Sequence, residues 1–170
     1  EPIKFSAFGK KWPGLSVISS EGKSLFQNVN FFDLSGIGKA HNPIGITSGG
    51  WNLTGGINFY KSEVNFSNCS FYNCFSEDAL NIISSSFLIT DCNFSNCLSD
   101  AFDGDFVEGS IINCSFSNIL GDGVDFSGSK AVVRNSSFEN ISDKAISVGE
   151  GSHVEVSTCK INNVSFGLVS

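Results

Sequence analysis

Residues 113–118 (Asn-Cys-Ser-Phe-Ser-Asn) decide the fold of this chain, because close copies of them recur at a nearly constant interval. Other copies begin at Asn68, Asp91, Asn135 and Thr158, and successive copies start 22 or 23 residues apart. A fixed period of this length is typical of solenoids, in which each repeat stacks on the one before.

Two further apolar runs precede each copy. Before residues 113–118 they are residues 102–104 and 109–111, and in each run apolar and polar residues alternate. This period of two predicts short strands with one buried face, and the Gly, Ser, Asn and Asp between runs predict turns. The sequence therefore predicts an all-β fold, a right-handed single-stranded parallel β-helix of about seven coils, with about 22 residues and three short strands per coil.

Stacked coils place equivalent side chains in columns. An asparagine ladder is expected in the column Asn73, Asn96, Asn118, Asn140 and Asn163. Cysteines form two columns, Cys69, Cys92, Cys114 and Cys159 in one, Cys74 and Cys97 in the other. Parallel side-chain directions suit disulfides poorly, so we expect buried free thiols.

We expect one β-helix domain, residues 1–170, that is a fragment of a longer chain. Residues 33–56 are rich in glycine and interrupt the repeat, which predicts a protruding loop or insertion. The last repeat is incomplete, with Leu168 in the place of Ile146. The rest of a parent chain, or self-association through coil ends, is expected to cover the exposed strands.

Charge limits the partners. The net charge is −7 and Arg134 is the single arginine, which argues against nucleic acid and anionic membranes. No apolar run approaches the ~20 residues that span a bilayer, so no membrane insertion is expected. Cations or neutral polar ligands fit this composition better.

Residues 99–106 (SDAFDGDF) crowd three carboxylates together. Stacking places Asp78, Asp100, Asp122 and Asp143 in one predicted column, and Asp103 beside Asp125, with Asp105 next to them. Carboxylates stacked about 5 Å apart raise one another's pKa unless a cation or N–H donors intervene. Three interpretations stay open: aspartates that cap turns, a Ca²⁺ ion bridging Asp103, Asp105 and Asp125, or an acid/base pair for glycoside hydrolysis.

Four segments also resemble the β-helix segment of bacterial CotH-type, spore-coat-kinase-like surface proteins. They are residues 78–81 (DALN), 100–106 (DAFDGDF), 121–129 (GDGVDFSGS) and 143–150 (DKAISVGE). More broadly, the chain is similar to the pectate-lyase-like superfamily of right-handed β-helices over residues 2–170. The resemblance implies an extracellular or cell-envelope location, and brings no settled chemistry.

Lyases and hydrolases of that superfamily hold substrate on the outward face of the first strand, where Asp103, Asp105 and Asp125 are expected. If the chain is an enzyme, these residues and Lys144 are its catalytic candidates. The chain departs from the pectate-lyase-like pattern in its basic residues, because Arg134 belongs to another strand. His41 and His153 are expected to be ordinary surface residues.

We therefore expect a non-catalytic or stabilising module of an exported or cell-surface protein. It would bind polysaccharide or a protein partner on its strand face, with Ca²⁺ as the one candidate cofactor. The alternative is a polysaccharide-active enzyme, namely a lyase, C5-epimerase or glycoside hydrolase. Further candidate ligand-binding residues are Asp100, Asp122, Asp143, Glu150 and Tyr60.

Overall fold

The computed structural model describes residues 1–36, 47–48 and 50–170, and these residues form strands, bridges and turns but no helix. Accordingly, the described part of the chain contains no helix able to cross a membrane. The strands are β1 (Ile3–Phe5), β2 (Leu15–Ile18), β3 (Ser24–Gln27), β4 (Val29–Phe32), β5 (Thr47–Ser48), β6 (Trp51–Asn52), β7 (Gly55–Tyr60), β8 (Val64–Ser67), β9 (Ser70–Cys74), β10 (Asp78–Ile83), β11 (Ser86–Thr90), β12 (Asn93–Cys97), β13 (Asp100–Asp105), β14 (Glu108–Ile112), β15 (Ser115–Ile119), β16 (Val124–Ser127), β17 (Lys130–Arg134), β18 (Ser137–Val148), β19 (His153–Ser157) and β20 (Lys160–Val169).

Strands pair in parallel with their equivalents one coil away, which stacks them into three faces. The first sheet contains β2, β7, β10, β13, β16 and the second half of β18; the second contains β3, β8, β11, β14, β17 and β19; the third contains β1, β4, β9, β12, β15 and the first half of β18. β20 continues both faces that β18 joins. The predicted all-β parallel β-helix of about seven turns is confirmed.

Each coil turns where its backbone enters the left-handed region. In one coil these residues are Phe106 (φ 53°), Asn113 (φ 57°) and Asn118 (φ 55°), one at each corner. We name these corners A, B and C: corner A follows the strands of the first sheet, corner B follows those of the second, and corner C lies near the end of the strands of the third. Asparagine is common at corners B and C because it tolerates this conformation better than most residues.

The predicted asparagine ladder is confirmed at corner C. The Asn118 amide donates to Asn96 Oδ1 at 3.3 Å, and Asn140 donates to Asn118 Oδ1 at 3.1 Å. A second column at corner B was missed: Asn68 donates to Asn28 at 3.2 Å, and Asn113 donates to Asp91. The mixture of Asn and Asp obscured that column in the sequence.

Phenylalanine rings fill the interior in a continuous stack. The centroid separations along Phe71, Phe94, Phe116 and Phe138 are 4.4, 4.9 and 4.8 Å, with the rings nearly parallel. Each ring is essentially buried. The core therefore repeats with the coil and gives the outward sheet faces a rigid support.

All six cysteines are free, as expected. They also do more than fill space: Cys92 Sγ accepts the backbone N–H of Cys69 at 3.4 Å. In the same column Ser136 Oγ accepts the N–H of Cys114 at 3.1 Å. The thiol and the hydroxyl therefore play one role, satisfying a backbone donor of the preceding coil.

The predicted insertion, residues 33–56, joins the coils at both ends. Leu34 is buried and bridges to Trp12, and Gly55 and Gly56 belong to β7. β5 and β6 form a short antiparallel pair. Residues 37–46 and 49 lie outside the described part of the chain. Leu53 clusters with Tyr60 and Ile83, so this end of the insertion covers the outward side of β7 and β10.

Candidate functional site

The acidic surface occupies the outward side of the first sheet. Within β13, Phe102 and Gly104 are buried, whereas Asp103 and Asp105 alternate with them and are partly exposed. The register pairs Asp103 with Asp125 of the next coil. This surface comprises Asp78, Asp100, Asp103, Asp105, Asp122 and Asp125.

Two of these carboxylates cap the backbone of the following coil. Asp100 Oδ1 accepts the N–H of Asp122 at 2.7 Å, and Asp122 Oδ1 accepts the N–H of Lys144 at 2.9 Å. In the preceding coil, Asp78 Oδ2 accepts the hydroxyl of Thr54 at 2.5 Å. Capping therefore accounts for Asp100 and Asp122 directly.

Lys144, and not Asp143, continues this column. The register pairs Val124 with Ile146, which places Lys144 one coil beyond Asp122. The sequence alignment was wrong there by one residue, and such a shift in a strand moves a side chain to the other face. Asp143 lies beside the column and is joined to it through Lys144, whose ammonium is 2.9 Å from Asp143 Oδ2.

The Lys144 ammonium is the counter-charge of the acidic surface. It lies 3.1 and 3.0 Å from the two oxygens of Asp122. Its hydrogen bonds to Asp143 and Asp122 raise the pKa of Lys144, so it stays protonated at neutral pH. A protonated ammonium cannot serve as a base, which weighs against the catalytic role predicted for this residue.

Asp103 is partly buried on this surface, although less so than Asp78 and Asp122. Burial, then the nearby charges of Asp78, Asp105 and Asp125, raises the pKa of Asp103 to about 9. Asn81 Nδ2 lies 2.8 Å from Asp103 Oδ2. Asp103 therefore carries its proton at neutral pH, so this position needs no counter-charge.

The neighbouring carboxyl groups are affected in the same direction. Burial raises the pKa of Asp78 to about 7 and that of Asp100 to about 6. Burial and the charge of Asp125 also raise the pKa of Asp105. The surface at neutral pH therefore mixes protonated carboxyls, which donate hydrogen bonds, with carboxylates, which only accept them.

Asp100, Asp122 and Asp125 form the carboxylate group that best matches a metal site among the described residues. One oxygen of each lies within 4.8 Å of the others. The predicted set, Asp103, Asp105 and Asp125, shares only Asp125 with it. Three oxygens of this group already accept N–H donors, two on Asp122 and one on Asp100. Because Ca²⁺ takes 6–8 oxygen ligands, binding here would require displacement of the Lys144 ammonium from Asp122 and further oxygens from water or backbone carbonyls.

The other predicted ligand-binding residues do not join this surface. Tyr60 is only 4% exposed, because Leu53 packs with it, so its ring offers no face to a ligand. Glu150 is exposed in the turn between β18 and β19. Arg134 and His153 belong to the second sheet, and His41 lies outside the described residues. Only the fold reveals the burial of Tyr60, since Leu53 belongs to the insertion.

Comparison with known proteins identifies the fold of the chain but gives no specific function. No curated protein is significantly similar to the chain. The family model described as the right handed beta helix region matches residues 11–167. That fold suggests a carbohydrate-related or structural module. With nearly its whole length matched and its coils stacked as described, the chain belongs to the right-handed β-helix family.

Proposed function

We propose that the chain is a non-catalytic module that binds uncharged polysaccharide on the acidic surface. The observation that carries this proposal is the partly exposed carboxyl of Asp103, which pairs in register with Asp125 and whose raised pKa leaves it protonated at neutral pH. Sugar hydroxyls both donate and accept hydrogen bonds, and they match a surface that does the same. The net charge of −7 disfavours an acidic polymer.

The lack of an available base on the described part of the acidic surface favours binding over catalysis. A lyase needs a base, but Lys144 is ion-paired with Asp122 and Asp143. The described part of the acidic surface contains neither histidine nor arginine. An exported or cell-surface location, implied by the resemblance to CotH-type proteins, belongs to this proposal.

The alternative is a glycoside hydrolase with Asp103 as the general acid. The raised pKa of Asp103 beside Asp125 favours this candidate, because such an enzyme pairs a protonated carboxyl with an ionised one. The same two residues therefore support both candidates. They differ in whether the proton of Asp103 must be transferred to substrate.

Substitution by asparagine separates binding from catalysis, because asparagine keeps a donor and an acceptor but cannot transfer a proton. Binding of soluble β-glucan, galactomannan and polygalacturonate would be measured by affinity electrophoresis and calorimetry, with product analysis alongside. We expect Asp103→Asn to retain binding and Asp103→Ala to weaken it about tenfold. Glu139→Gln, an exposed carboxylate on the third sheet, is the matched control.

Two results would oppose the proposal. Turnover by the unmodified chain that Asp103→Asn abolishes would establish the hydrolase instead. Unchanged binding in Asp103→Ala would move the binding surface away from the acidic residues.

Calcium is a second candidate ligand, at Asp100, Asp122 and Asp125. Because Lys144 holds both oxygens of Asp122, we expect calcium to raise the melting temperature of Lys144→Met more than that of the unmodified chain. Melting with calcium and with EDTA would be compared. An equal rise in Lys144→Met and in the double variant with Asp125→Asn would exclude this site.

A partner at the coil end forms the last part of the proposal. Phe166 and Leu168 of β20 are 57% and 52% exposed. Another coil of a parent chain, or a second copy of this chain, would cover them. Sedimentation of residues 1–170 with and without Phe166→Ser tests self-association, which requires a concentration-dependent dimer that the substitution weakens.

A further inference from the structure

Three sulfur atoms follow one another along the interior of the solenoid, directly beneath corner B. Cys69, Cys92 and Cys114 each come one residue after the left-handed residue of that corner, and they are 1%, 2% and 3% exposed. The side chain of Cys92 is hydrogen-bonded to those of Cys69 and Cys114. We name these three residues the thiol column. It places neighbouring sulfur ligands one coil apart.

The fold itself does not require sulfur at these positions. Ser136 occupies the next position of the column, and its hydroxyl accepts the backbone N–H of Cys114 at 3.1 Å. The sulfur of Cys92 accepts the backbone N–H of Cys69 in the same way, at 3.4 Å. A hydroxyl therefore makes the same backbone bond as a thiol. What the cysteines add is a soft ligand atom that can lose its proton.

The surroundings of the thiol column favour that loss on either side of Cys92. The hydrogen bonds that Cys92 makes with its neighbours lower the pKa of Cys69 to about 7 and lower that of Cys114, whereas they raise the pKa of Cys92. Backbone hydrogen bonds also act on the sulfurs of Cys69 and Cys114 in the lowering direction. The thiolate is the form of cysteine that binds metals.

The other pair of stacked cysteines differs in this respect. Cys74 and Cys97 are paired in register and buried. The hydrogen bond with Cys97, and then burial, raises the pKa of Cys74, so its thiol keeps the proton. This pair therefore serves as an internal comparison for the thiol column.

The spacing of the coils suits an ion between two sulfurs. Neighbouring strands lie about 4.8 Å apart, so an ion midway between equivalent sulfurs lies about 2.4 Å from each. Metal–thiolate bonds have nearly this length, ~2.3 Å for zinc. The two sulfurs then stand on opposite sides of the ion, which is a linear arrangement.

This arrangement discriminates between metals. Soft thiolate ligands favour Cu(I), zinc and iron–sulfur clusters, whereas hard cations such as calcium prefer oxygen. Zinc and iron–sulfur sites need a tetrahedral set of ligands, which a straight row of sulfurs does not provide. Two thiolates in line satisfy the coordination of Cu(I).

We propose that the thiol column binds one Cu(I) ion between the sulfurs of adjacent coils, with Cys92 as one of its two ligands. Each ligand thiol releases its proton to solvent, and no electron is transferred. The ion takes the place of a proton between two sulfurs, so the coils keep their positions. This inference does not rest on the proposed function, because sulfur in the interior and carboxyls on the first sheet are different sites.

The test begins with Cys92→Ser. Serine is accepted in this column, as Ser136 shows, so the variant keeps the backbone bond and loses the central ligand. Cys69 and Cys114 are then two coils, or about 9.6 Å, apart and cannot share an ion. Melting curves establish that the variant is folded.

Two control variants each remove one thiol outside the thiol column. Cys159→Ser changes a cysteine that Ser136 separates from Cys114, and Cys97→Ala changes the buried comparison pair. Neither substitution removes a proposed ligand. Both therefore control for the loss of a thiol as such.

Cu(I) is the probe, titrated without oxygen into the reduced chain of residues 1–170 in competition with a chromogenic Cu(I) chelator. We expect one ion per chain, and in Cys92→Ser an affinity lower by more than about a hundredfold, since loss of an outer-shell partner alone costs up to about a hundredfold. Cys159→Ser and Cys97→Ala should stay within about twofold. X-ray absorption should show a copper ion with sulfur neighbours in linear coordination.

A gain of binding tests the same site without removing a ligand. Ser136→Cys joins Cys114 to Cys159 in one continuous row of thiols. We expect this variant to bind a second Cu(I) ion, counted by native mass spectrometry.

Four results would overturn the inference. They are an unchanged affinity in folded Cys92→Ser, an equal loss in Cys97→Ala, no additional ion in Ser136→Cys, and zinc binding as tight as that of Cu(I). None of them bears on polysaccharide binding at the acidic surface, which is measured with Asp103→Ala and Asp103→Asn.

Discussion

At the residue scale, Asp103 couples stability to pH. Its pKa rises from 3.8 to about 9 on folding, so the folded chain binds the proton more tightly than the unfolded chain. The stability that this proton contributes is complete below about pH 4 and is lost progressively as pH rises toward 9. Asp78 and Asp100, whose pKa values are raised to about 7 and about 6, act in the same direction.

We predict that Asp103→Asn is more stable than the unmodified chain at pH 8. Asparagine keeps a hydrogen-bonding group next to Asn81 and is always neutral, so the cost of taking up a proton on folding at pH 8 disappears. The melting temperature should rise by about 2–4 °C at pH 8, equivalent to ~1 kcal/mol in a domain of this size, and should not rise at pH 4. Scanning calorimetry at both pH values measures this, and an equal rise at pH 4 would contradict it.

We predict that Lys144→Met destabilises the chain at neutral pH. The side chain of Asp122 is only 7% exposed, so loss of the ammonium leaves a buried carboxylate without its counter-charge. The expected loss is about 1–3 kcal/mol in urea denaturation, the usual cost of leaving a buried acceptor without its partner. The control is Lys23→Met, whose partner Glu63 is 54% exposed, with an expected loss below about 0.5 kcal/mol. Equal losses would show that Lys144 is not the counter-charge.

At the element scale, the left-handed backbone conformation at the corners explains why asparagine recurs there. Asn118 both donates and accepts within the ladder, and its backbone has a φ of 55°. The strand residue before it, Ser117 of β15, has no such requirement. Substitutions at Asn118 and Ser117 therefore separate the contribution of backbone conformation to stability from that of side-chain hydrogen bonds.

We predict opposite orders of stability at these two positions. Asn118→Ala should be less stable than Asn118→Gly by about 1 kcal/mol, because alanine resists the left-handed conformation and both variants lose the ladder bonds. Ser117→Gly should instead be less stable than Ser117→Ala, by about 0.5–1 kcal/mol. Chemical denaturation measures all four. Equal stability of the two Asn118 variants would mean that the ladder bonds dominate.

At the scale of the whole molecule, each coil is stabilised mainly by its neighbours, as in other solenoids. β10 is buried along its whole length, whereas most residues of β20 are exposed. In the chain of residues 1–170, we therefore predict faster amide hydrogen exchange in β20 than in β10, which lies in the first sheet that the second half of β20 continues. Mass spectrometry of peptides measures it. Equal protection at low protein concentration, where a dimer dissociates, would contradict the prediction.

The periodic part of the structure could be predicted from particular residues. Copies of residues 113–118 indicate the coil length, and Asn73, Asn96 and Asn118 indicate the ladder. The cysteines were expected to be free, and they are. In a solenoid a residue contacts its equivalent one period away, so repetition in the sequence is itself information about contacts.

The site depended on features that break the period. Tyr60 lies beneath Leu53 of the insertion, and Lys144 places an ammonium where Asp100 and Asp122 place carboxylates in the preceding coils. The sequence by itself determined the fold, the columns and the crowding of carboxylates on the first sheet. Only the tertiary structure decided which carboxyls are buried, which are neutralised and which converge, because a pKa depends on the surroundings in three dimensions, and a one-residue error of register exchanges one neighbour for another.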